Sequence, residues 1–68
     1  MLLAEVLHSP NGFHRLETFH TQGEARTWIE HVIKTDPSVQ CYRHHCFIRI
    51  SDIPTRDVLV ESIYASWR

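Results

Sequence analysis

"TQGEARTWIEHVIKTDP", Thr21 to Pro37, decides the fold class of this chain. Its apolar residues Ala25, Trp28, Ile29, Val32 and Ile33 recur at i, i+3, i+4, i+7 and i+8, which gathers them on one stripe of an α-helix. Thr21 and Glu24 have the spacing of a capping box, in which the hydroxyl accepts from the third helical amide. Asp36-Pro37 supplies the stop, and Glu30 and Lys34 form a favourable i,i+4 pair on the wet face. The spacing predicts a helix over 22–35 with a single apolar face, and that face requires a second layer.

The flanking segments read as a sheet. "LLAEVLH" (2–8) and "FHRLETF" (13–19) enclose "SPNG" (9–12), in which Pro10 suits the second position of a type I turn and Gly12 the left-handed position after it. A hairpin is expected, with His8 opposite His14, Val6 facing Leu16 and Ala4 facing Thr18. That register also sets Glu5 against Glu17. Downstream, "SVQCYRHHCFIRI" (38–50) is rich in strand formers, but its alternation changes phase. Val39 and Cys41 share one parity and Cys46, Ile48 and Ile50 the other, so a bulge between Arg43 and His45 is expected to reunite them on one face.

In the tail, "SDIPTRDVLVESIYASWR" (51–68), Asp52 or Thr55 can cap a helix after Pro54 that brings Leu59, Ile63 and Trp67 to one side. "VLVESIY" has a strand-like composition instead. With the helix preferred, the expected fold is α+β in the order β-β-α-β-α. A small antiparallel sheet of three strands, or four, carries the long helix and a C-terminal one within a single domain, 1–68. Trp28, Ile29, Val32 and Ile33 are expected to bury against Val6, Leu16 and Ile48.

Composition narrows function by exclusion. The 68 residues are 43% apolar and 22% charged, with two Gly and three Pro, which is the texture of a small folded domain rather than a disordered segment. Net charge is −1, so no general nucleic-acid-binding field is indicated. "MLLAEVLHSP" lacks the basic start, long apolar core and cleavage site of a signal peptide, and no stretch has the length of a membrane span. A soluble, cytoplasmic protein is expected, with no membrane partner and its two cysteines as thiols or ligands rather than a bridge.

"CYRHHC", Cys41 to Cys46, holds both cysteines and two of the six histidines. Cys41 and His44 have an acceptable chelating spacing, with His14, His20 or His31 left to complete a zinc shell. On an extended strand, however, His45 and Cys46 point to opposite faces, and the usual second pair of ligands is absent. A strand also holds residues five apart at about 16 Å, beyond disulfide reach. The expectation is no bound metal and no cofactor, with Cys41, His44 and Cys46 as ordinary side chains and Cys41 more buried than His44.

No phosphate loop, nucleophile elbow or zinc-protease motif occurs, so no catalytic residue is assigned and no enzyme activity is expected. The stretch "SPNGFHRLETFHTQGEARTWIEHV", a hairpin running into a capped helix, loosely resembles the small arm-binding domains of phage integrases. That resemblance implies a three-stranded sheet with one helix and contact with nucleic acid. Those domains carry several basic residues on their strands, whereas this hairpin has Arg15 alone, so the third strand with Arg43, His44, His45 and Arg49 becomes the candidate nucleic-acid surface, Tyr42 stacking on a base. The preferred expectation is a non-enzymatic docking module, similar in style to the small accessory or inhibitor proteins of bacteriophages. It would bind another protein or a second copy of itself through Tyr42, Arg43, His44, Arg49, Tyr64 and Trp67, residue types common at interface hot spots.

Overall fold

The computed structural model describes residues 1–67. Four strands and one helix follow in the order β1 (Leu2–His8), β2 (Phe13–Phe19), α1 (Gln22–Thr35), β3 (Phe47–Asp52) and β4 (Val58–Ile63). Short 3-10 turns lie at Ser9–Asn11, Gln40–His45 and Tyr64–Ser66. The strands form one antiparallel sheet in the spatial order β2-β1-β3-β4, and α1 covers one face. None of the described helices is long and apolar enough to cross a membrane.

Helix α1 has the predicted limits. Thr21 is its N-cap in extended conformation, and its hydroxyl accepts from the Glu24 amide at 3.2 Å and donates to the Glu24 carboxylate at 3.2 Å. A Thr21→Ala variant is expected to lose about 1 kcal/mol, read from thermal unfolding, with Thr21→Ser retaining most of it. Ala25, Ile29 and Ile33 are fully buried against Ala4, Val6, Ile48 and Ile50 of the sheet, with Val32 nearly so. Trp28 departs from expectation: it is half-buried at the margin, tilted against Phe19 with ring centroids 5.7 Å apart. It stands at the side of the stripe next to the outer strand β2, where the sheet ends.

The β1–β2 hairpin forms one residue out of the expected register. His8 pairs with Phe13, Val6 with Arg15, Glu5 with Leu16 and Ala4 with Glu17. The turn dictates this. Pro10 begins a 3-10 turn, Gly12 takes φ 72° and donates its amide to Ser9 O, and the Asn11 side chain accepts from the Phe13 amide. Closing the loop at His8 and Phe13 turns Phe13 into the core, sends Leu16 to the opposite face with 56% exposure, and separates Glu5 from Glu17.

Residues 38–46 are also not the bulged strand that was expected. Asp36 Oδ1 accepts from the Ser38 amide, Gln40 Nε2 donates to Lys34 O, and Tyr42 N donates to Val39 O. These local bonds coil the chain into 3-10 turns, with Val39 as a fully buried anchor, and the strand begins only at Phe47. The phase change therefore marks a turn beside the helix C-terminus. Cys41 and His44 are both exposed, and Cys46 is the buried cysteine.

The expected C-terminal helix is replaced by strand β4. After the cis Ile53-Pro54 bond, Arg56 takes φ 67° and a tight turn closes: Arg56 N donates to Asp52 O, Asp52 N to Asp57 O, and the Thr55 hydroxyl to the Asp52 carboxylate. The reversal delivers "VLV" antiparallel to β3, where β-branched side chains pack well. A register shift between Ile50 and Ser51 leaves Leu59 as an extra residue, so the order is β-β-α-β-β.

Candidate docking surface

Because α1 occupies one face, the pairing register fixes what the other face displays. Leu3, Glu5 and Leu7 of β1 stand beside Leu16 and His14 of β2 on one side, and beside Phe47, Arg49 and Ser51 of β3 on the other; β4 adds Val58, Glu61 and Ile63. No element among the described residues covers this face. Its centre is polar and its periphery apolar: Leu16, Val58 and Ile63 are each about half exposed, whereas Glu5 retains 7%.

Glu5 is held by two neighbouring strands. Arg49 Nε donates to Glu5 Oε1 at 3.0 Å, and His14 Nε2 lies 3.0 Å from Glu5 Oε2. Burial works to raise the Glu5 pKa, but the hydrogen bonds and charges of Arg49 and His14 together outweigh it, and the carboxyl sits below its ordinary value. The same hydrogen bond, with the Glu5 charge, raises Arg49. Arg49 Nη1 is 4.0 Å from Glu61 Oε2, a long contact between the last two strands.

The two outer strands differ. β2 carries His14, Arg15 and Glu17, and Arg15 reaches Asp36 at 3.7 Å beyond the helix C-terminus. β4 pairs with β3 alone and carries one charged residue, Glu61, with no Lys or Pro; Val58, Leu59 and Ile63 are all substantially exposed. With so little charge, β4 leaves its outer edge open to another extended chain along Val60 to Ile63, past the irregularity at Leu59.

The six residues chosen from sequence fall into two groups. Arg49 lies in the helix-free face. Tyr42, His44, Tyr64 and Trp67 gather instead where the 3-10 turns at 40–45 and 64–66 pack together. Tyr42 stacks on His8 with centroids 4.6 Å apart, Tyr64 lies 6.3 Å from His44 and 6.1 Å from Trp67, and the Tyr64 hydroxyl donates to Glu30. Trp67 is buried in the core cluster beneath Arg26, whose guanidinium lies over its ring. Arg43 is exposed on the turn. Sequence reasoning missed Glu5, His14, Leu16, Val58 and Ile63 as members of one face. The off-by-one hairpin and the misassigned tail concealed them.

Cys46 is fully buried, its Sγ 3.6 Å from Tyr42 O, and burial pushes its thiol pKa up, so it behaves as a small core residue. Among the described residues no group of three or more His, Cys, Asp or Glu side chains is placed to hold a metal ion. No known protein family matches the chain, and no curated protein or solved structure matches it either.

Proposed function

We propose that the protein is a non-enzymatic docking module that receives an extended segment of a partner protein along the outer edge of β4. The observation that carries this reading is the contrast between the two outer strands, joined to the uncovered sheet face beside β4. Backbone groups on the outer edge supply strand-to-strand hydrogen bonds, and Val58, Leu59 and Ile63 supply apolar contacts for alternate side chains of the incoming segment. With it we propose a regulatory or inhibitory role, of the kind small phage accessory proteins perform. Two free cysteines, one of them exposed, suit a reducing cytoplasm.

The nucleic-acid alternative rests on Arg43, His44 and His45, all exposed on one 3-10 turn. One face of the Tyr42 ring is stacked on the buried His8, which leaves only its outer face for a base.

Affinity capture with wild type, Leu59→Lys/Ile63→Lys and Arg43→Glu/His45→Glu chains separates the two. The expected result is one protein partner retained by wild type and by the turn variant and lost by the β4 variant, whose folding is verified by its melting curve. Salt-steep nucleic-acid binding that disappears in the turn variant, with capture unaffected in the β4 variant, would overturn the proposal.

A further inference from the structure

The helix-free face contains a depression of about 440 Å³ at the end nearest the β3–β4 turn. Leu3, Ile53 and Val58 form its apolar walls, and Arg49 and Arg56 border it. Two cations therefore meet one anion of the lining, Glu5, and Glu5 is already engaged. It takes Arg49 Nε and His14 Nε2, one on each oxygen.

The donors left over define the site. Arg49 has its Nε committed to Glu5, but no protein acceptor among the described residues lies within hydrogen-bond distance of its terminal nitrogens; Glu61 stands off at 4.0 Å. Arg56 makes no side-chain hydrogen bond or ion pair among the described residues, although Asp52 and Asp57 are close in sequence. The Asp52 carboxylate accepts from the Thr55 hydroxyl at 3.1 Å instead. Arg56 also occupies a left-handed backbone position, φ 67°, which a branched or bulky side chain adopts only at a cost and which glycine would fill without strain. An arginine there is not required by the turn.

We infer that this depression is a carboxylate site, and that it takes an aspartate or glutamate side chain with apolar neighbours from the segment docked beside β4. Planar guanidinium groups match a carboxylate through paired N–H donors, and apolar walls exclude water from the pair. Bound there, the ligand oxygens would take the free terminal N–H groups of Arg49 and the fork of Arg56. Glu5 holds Arg49 in place from behind. The inference rests on the docking reading for the source of the carboxylate, but the site itself is testable alone.

The probes are acetyl-Val-Glu-Val-amide and its neutral counterpart acetyl-Val-Gln-Val-amide, titrated at fixed ionic strength into the whole protein while backbone amide chemical shifts are recorded. Saturable shifts are expected at Ser51, Ile53, Arg56 and Val58, with the Glu peptide about tenfold tighter than the Gln peptide. Arg56→Gly is expected to abolish that difference while keeping the remaining spectrum, and Arg56→Lys to restore part of it. Equal affinity for the two peptides, shifts located elsewhere, or a Glu preference that survives Arg56→Gly would each overturn the site. Loss of capture in the β4 variant is a separate readout, so a failed docking edge and a failed carboxylate site give different results.

Discussion

An Ile29→Ala variant is expected to lose about 2–5 kcal/mol of folding stability, read from urea unfolding at neutral pH. Ile29 is fully buried midway along α1, among Ala4, Val6, Ile48 and Ile50. Truncation there removes transfer free energy and leaves a cavity that the surrounding strands cannot collapse around, since two of them are paired on both sides. For a chain of 68 residues, total stability is only a few kcal/mol, so the variant is expected to be largely unfolded at 37 °C. Trp28→Ala, although it deletes a larger side chain, is expected to cost less, because Trp28 is only partly buried, at the sheet margin. The reverse ranking would mean that α1 is rotated on the sheet relative to the packing described.

Arg49→Met is the second large effect, and its pH dependence identifies its cause. Removing the cation leaves the Glu5 carboxylate nearly buried with His14 as its remaining neighbour, an uncompensated charge expected to cost about 2–4 kcal/mol at neutral pH. In the wild type the Glu5 pKa is lowered on folding. Its contribution is therefore complete above the ordinary carboxyl value of 4.5 and is lost as pH falls below it. In the variant the lowering by Arg49 is gone and burial is opposed by His14 alone, so the deficit is expected above that value and is expected to shrink as acid protonates Glu5. Glu5→Gln combined with Arg49→Met is expected to recover most of the loss at neutral pH. A deficit that is the same at pH 7 and pH 4, or undiminished in the double variant, would show that Arg49 acts through packing alone.

Helix α1 was legible to the residue because its signals are local: a capping box, a five-residue stripe and a proline stop all agree. The hairpin was legible in kind and missed in register, since a four-residue loop and a five-residue loop differ by one position and only the Gly12 conformation and the Asn11 side-chain bond distinguish them. That single slip exchanged Leu16 for Phe13 in the core. At 38–46 strand-forming composition lost to side-chain bonds from Asp36 and Gln40, which no propensity counts. The tail was misread because Leu59, Ile63 and Trp67 mimic a helical stripe. In the structure they are an extra strand residue, an outward strand residue and a core residue beyond the strand end. The helix-free face depends on all of these together, so it emerged only once the strands were paired.

The sheet order β2-β1-β3-β4 has a consequence for synthesis. β1 is made before the other described strands, and one of its two neighbours, β2, follows at once. The other neighbour, β3, begins at Phe47, after the hairpin, the whole helix and the turns at 40–45 have been made. Through that interval the nascent chain presents one bare flank of β1, alternating Ala4, Val6 and their neighbours, to whatever the cell offers. Of the two inner strands β1 waits the longer for its second neighbour, since β4 follows β3 after only a short turn, so the pace of elongation through α1 and up to Asp52 sets how long that flank stays bare.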